Sequence, residues 1–91
     1  MVYKYEFDTA DINDDEYSKF GFYSGNNLIN APIKSWFQFL SFPMNNNRNY
    51  VLQIGYGVTT GRILHTYVRF KDETHLSWEG VEWKEIDIQY K

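Results

Sequence analysis

The chain contains no cysteine. A disulfide framework, a thiolate metal site and a cysteine nucleophile are therefore excluded. No apolar run exceeds three residues, so no stretch has the length of a membrane-spanning helix or a signal-peptide core. A basic excess is missing too: Lys and Arg number 9 against 12 Asp and Glu, interspersed, for a net charge of −3. The basic face that marks a nucleic-acid binder is not there. There is no internal repeat, and the one low-complexity tract is Asn45–Asn47.

What is abundant is rings. Trp 3, Tyr 8 and Phe 7 make up 20% of the 91 residues. One domain of this length buries only about 60–65% of the surface its unfolded chain exposes, so each large side chain matters. Aromatic and β-branched residues suit pleated sheets.

Val2–Asp8 alternates, with Tyr3, Tyr5 and Phe7 on one side and Lys4, Glu6 and Asp8 on the other, which is the pattern of a strand with one wet face. Asn13 is a good N-cap, and Asp14, Asp15 and Glu16 suit a helix's first turn. The spacing predicts one short helix near residues 14–20, with Tyr17 and Phe20 facing inward and Gly21 ending it. Ser24–Pro32, rich in Gly and Asn, reads as a loop. Strands are expected at Ser35–Phe42, Asn49–Tyr56, Arg62–Phe70 and Val81–Tyr90, joined by turn-forming segments at Pro43–Arg48 and Gly57–Gly61. The fold class is α+β, mainly β: an antiparallel sheet of four to five strands with that one helix. Trp36, Phe39, Tyr50, Leu52, Ile54, Tyr67, Trp78 and Trp83 are the expected core. The helix covers one sheet face, and the other still carries rings and so meets something else.

Reactive constellations are weak. Asp11-x-Asn13-x-Asp15 opens like a calcium loop, but Glu16 stands where the turn glycine belongs and Phe22 where the closing acid belongs. Gly55, Gly57 and Gly61 are followed by a strand, not by the helix a phosphate cradle needs. His65 and His75 have no third ligand at metal spacing. Glu79, Glu82 and Glu85 read as the polar side of an edge strand rather than as a glycosidase pair. No enzyme activity, metal or cofactor is expected.

The ordered landmarks Asp11-Ile12-Asn13, Gly21-Phe22-Tyr23, Asn30-Ala31-Pro32, Trp36 with Phe39-Leu40, Tyr50-Val51-Leu52-Gln53-Ile54, Tyr67-Val68-Arg69, and Trp78 with Trp83-Lys84-Glu85-Ile86 resemble the pyocin-knob type of module. The resemblance covers about Asp8 to Ile86. In the family the closing pair usually reads W-x-x-W; here Trp78 and Trp83 stand two residues further apart. The resemblance implies one knob-like module over residues 1–91, expected to be a fragment of a longer bacteriophage tail fibre, baseplate receptor-binding or head fibre protein. It implies a non-enzymatic structural and adhesion role in attachment of the virion to its host, with synthesis in the host cytoplasm. The partners it implies are copies of the same chain, as a homotrimer at full length, and other virion proteins. A bacterial surface polysaccharide is a further expected partner; nucleic acid and membrane insertion are not. The alternative is a small stand-alone carbohydrate-binding module of a cell-wall-associated protein.

Period-two alternation puts Gln53 on the opposite side from Leu52 and Ile54, and Arg69 opposite Val68 and Phe70. Both are candidate interface or glycan contacts, with an ordinary polar strand face as the other reading. Asn26, Asn27, Asn45, Asn46 and Asn47 complete the candidate set, because loop amides offer donors and acceptors without competing ladders.

Overall fold

Six strands lie side by side in chain order: β1 (Val2–Tyr5), β2 (Gly21–Asn26), β3 (Trp36–Met44), β4 (Asn47–Thr59), β5 (Ile63–Lys71) and β6 (Lys84–Ile86). The structure is a computed structural model that describes residues 2–5, 9–44 and 47–87. Strands β2 to β6 form a continuous antiparallel meander. Strand β1 joins the edge parallel to β2, which the segment after it makes possible by crossing over the sheet.

The chain is mainly β, as the ring-rich composition implies. The helical part of the expectation shrinks to one 3-10 turn, Asp15–Ser18. Asn13 does not cap it, because its Oδ1 accepts from Arg69 Nη1 at 2.7 Å. Asp14 takes the cap position without a side-chain cap bond, and Lys19 is already extended. The Tyr23 hydroxyl donates to the Lys19 carbonyl at 2.9 Å and the Glu16 carbonyl at 3.3 Å, satisfying the turn's C-terminal end so that no further turn is needed. Phe20, expected inside, is exposed and packs on Phe42 with ring centroids 5.8 Å apart.

Ser24–Asn26, expected in a loop, is strand. Gly25 lies buried opposite Phe37, so the glycine there makes room for a ring rather than marking a turn. Strand β4 likewise runs through Gly55 and Gly57 to Thr59. A Cβ on Gly55 would stand 2.6 Å from Phe37 Cζ and 2.7 Å from the Gln38 carbonyl oxygen; one on Gly57 would meet Ile33 and the Trp36 carbonyl. Gly55 lets Phe37 and Phe39 lie against the strand, and Gly57 does the same for Ile33. The turn itself is at Gly61 and Arg62, both at positive φ (86° and 62°). Strand β6 begins at Lys84 rather than Val81 and spans three residues, while residues 88–90 of the expected strand lie outside the described residues.

Phe39, Tyr67 and Trp78 are buried as expected and Trp83 packs against the core, but at Trp36 and along β4 the alternation is one residue out of phase with the expectation. Phe37, Phe39 and Ser41, then Val51 and Gln53, then Tyr67, Arg69 and Lys71, are buried on one face. Trp36 and Ile54, expected inside, are exposed on the other, while Leu52 and Tyr50 are half-covered. Because the side-chain period is two, a shift of one residue exchanges the faces completely. The inner face is closed by residues 10–18, 28–33 and 78–83, which bring Ile12, Tyr17, Leu28 and Trp83 onto Tyr23, Phe37, Phe39 and Tyr67. Trp83 stands edge-on to Phe37 at 5.1 Å and to Phe39 at 5.8 Å, the ring geometry that adds to simple burial.

Candidate functional site

Arg69 is the centre of the inner side. It sits mid-way along β5, 3% exposed, with its guanidinium carbon 4.1 Å from the Trp78 ring and 4.5 Å from the Trp83 ring. Its Nε donates to Gln53 Oε1 at 2.6 Å, Nη1 to Asn13 Oδ1 at 2.7 Å and Nη2 to the Ile12 carbonyl at 3.0 Å. Each acceptor is neutral. Burial pulls the guanidinium down to about 9, with the Asp11 carboxylate opposing, so the group still carries its charge at neutral pH. Two indole faces and three directed acceptors replace the water it has lost.

The partners are held in turn. Gln53 is fully buried, and its Nε2 donates to the Tyr17 carbonyl at 3.0 Å and Ser41 Oγ at 3.2 Å. Asp11 Oδ1 accepts from the Asn13 amide at 2.9 Å and Asn30 Nδ2 at 2.7 Å. Trp83 Nε1 donates to the Asn30 carbonyl at 3.2 Å, and Trp78 Nε1 to Ser18 Oγ at 2.8 Å. Among the described residues no buried side-chain nitrogen or oxygen lacks a partner.

The candidate residues fare differently. Gln53 and Arg69 do face away from Leu52, Ile54, Val68 and Phe70, but that direction is inward. Neither presents a polar strand face to a partner; both are spent on holding loops to the sheet. Asn26 and Asn27 are exposed where β2 ends, Asn27 with positive φ. Asn45 and Asn46 lie outside the described residues, and Asn47 is the first residue of β4 rather than part of a loop. Asn26 and Asn27, exposed, are not part of the buried set around Gln53 and Arg69.

Two surfaces stand apart from the clamp, the first not expected from the sequence and the second the expected ring-bearing face. One is a polar recess beside Trp83, lined by Asn13, Asn30, Pro32, Tyr67, Glu82 and Glu85. The other is the outer face of the sheet. Its rows run across the strands: Phe22, Leu40, Ile54 and Val68; Phe42, Leu52 and Phe70; Ser24, Gln38, Tyr56 and Thr66; and Val58 with Leu64. Strand β6 extends the first row by Lys84, opposite Val68, and the third by Ile86, so the charge on these rows sits at the sheet's edge. Gln38 Nε2 donates to the Tyr56 hydroxyl, the one polar pair in the middle of the face. A shallow apolar groove runs between Phe22, Leu40, Ile54, Tyr56 and Leu64.

His65 has an arrangement the sequence did not suggest. Its Nε2 is 3.0 Å from Thr59 Oγ1 and its Nδ1 3.1 Å from Glu85 Oε2. Hydroxyl, imidazole and carboxylate in a row is the order of a nucleophile relay. Here Thr59 is the last residue of β4, and Glu85, on the edge strand, also lines the polar recess. The row ties β6 to the end of the β4–β5 hairpin, an exposed polar strap worth about 0–1 kcal/mol.

Comparison of the chain with family models, with curated proteins and with solved structures returns no match.

Proposed function

We propose that this chain is a non-catalytic structural and adhesion module of a bacteriophage tail fibre, baseplate or head fibre protein, part of the virion surface that attaches to the host. The observation that carries the reading is the convergence of the knob landmarks. Asp11, Asn13, Asn30, Arg69, Trp78 and Trp83 are spread over most of the chain, yet they bond to or stack on one another in one network that runs from the buried Arg69 out to Asn30 at the surface. Residues that act together as a clamp are what a pattern of spaced landmarks should encode. Their hydrogen bonds are used in holding two loops to a sheet, which builds a rigid knob rather than a reactive site. Its partners in this reading are copies of itself, as a trimer at full length, and neighbouring virion proteins.

A second reading has one observation in its favour. The polar recess offers Asn, Glu and the edge of Trp83 together, a composition that suits a sugar; this favours a carbohydrate-binding module of a cell-wall-associated protein. Light scattering on the gene product at its native length separates the two. A trimer is expected. A monomer that binds bacterial surface glycan with a Kd of about 1 mM or tighter would overturn the virion reading in favour of the second.

A further inference from the structure

We infer that the outer face of the sheet is covered by another copy of this chain. The inference narrows the assembly reading above to one surface and rests on it for self-association. Its test uses the 91-residue chain alone, so it fails separately from the virion assignment, which is tested at native length.

The first argument is area. Trp36, Ile54, Tyr56, Val58, Leu64 and Phe70 are each between 38% and 49% exposed. At about 200 Å² for a large side chain, these six leave roughly 500 Å² of contiguous apolar surface open, already near the upper end of the largest patch on an ordinary monomer, about 300–600 Å². Phe42 and the half-covered Phe22, Leu40, Leu52 and Val68 share the face and bring it to about 800 Å², the contribution of one partner to an interface of standard size.

The second argument is charge. The chain carries a net −3, yet the middle of this face is uncharged; the ionised side chain on the rows above is Lys84 of β6, opposite Val68 at the sheet's edge. A partner selected by charge would find little here to complement. The same face set against itself keeps its centre free of like charges, and sheet faces pack at a spacing of about 10 Å by interdigitating such side chains. The Gln38–Tyr56 pair places an amide and a hydroxyl in the middle, each able to donate and accept to its counterpart on the other copy. A row of polar atoms inside an apolar patch fixes the register of the contact.

Sedimentation equilibrium of the 91-residue chain, from micromolar to about 1 mM, tests this. The expected result is a reversible dimer or trimer. Ile54→Lys, at the centre of the Phe22–Leu40–Ile54–Val68 row, should weaken association at least about 10-fold while keeping the near-ultraviolet signature of the buried Trp78. Leu64→Lys, on a different row, does the same should Ile54→Lys unfold the chain. Leu76→Lys, at a fully exposed loop position that belongs to none of the rows, should leave association unchanged. A chain that stays monomeric at about 1 mM, an open-ended aggregate, or lysine variants that associate like the parent would each overturn the inference.

Discussion

Arg69 shows how a residue that looks like a surface contact becomes the keystone of a small core. An isolated buried cation is prohibitive. This one is tolerated because Gln53, Asn13 and the Ile12 carbonyl satisfy its fork, and Trp78 and Trp83 cover its two faces. Removing it strands three acceptors and opens the space between two indoles. Arg69→Ala should therefore lower unfolding free energy by about 3–5 kcal/mol. Arg69→Lys keeps the charge but loses the planar stack and most of the fork, and should still lose about 2 kcal/mol. Urea unfolding followed by tryptophan fluorescence measures both. An Arg69→Ala variant within about 1 kcal/mol of the parent would mean that the clamp does not hold the loops.

At the level of elements, the clamp explains why the strands were easier to find than their faces. Tyr67-Val68-Arg69 and Leu52-Gln53-Ile54 alternate clearly, so β4 and β5 are legible as strands. The same alternation assigns Leu52 and Ile54 to the core if apolar residues are taken to lie inside. The inner face is instead Gln53, Gly55, Gly57, Arg69 and Lys71, because the residues that cover it supply directed acceptors and large rings. Gly55 is bare because Phe37 and Phe39 occupy the space beside it, and Gly57 because Ile33 does. Gln53 and Arg69 stood out as unusual, but no local pattern says that residues 12 and 13 lie above them. The single 3-10 turn was misread for the same reason: Asn13 serves Arg69, not its own helix. That turn is tied to the far end of the chain through Ser18 and Trp78. Ser18 is 1% exposed, and its Oγ is the acceptor for Trp78 Nε1. Ser18→Ala leaves the indole N–H unpaired in the core and should cost about 1–3 kcal/mol, read as a lowered melting temperature. Ser77→Ala, on the exposed loop next to the same tryptophan, should have little effect.

On the scale of the whole molecule, the sheet has two unlike sides. One is sealed by aromatic and aliphatic residues around the bonded Arg69 clamp; the other is apolar over its middle, with Lys84 at the edge, and open. A small domain has few large side chains to spend, and this one leaves a substantial share of them on a surface, which makes sense for a module whose final burial comes from a neighbouring chain. The proposed copy-to-copy contact rests on that asymmetry. Hydroxyl-radical footprinting of the chain at low and high concentration tests it most directly. In dilute solution Trp36, Tyr56 and Phe70 should be oxidised readily while Trp78 and Phe37 are protected, and at high concentration the first three should become protected as well. Oxidation of Trp78 as fast as Trp36 in the folded chain would contradict the assignment of the two faces.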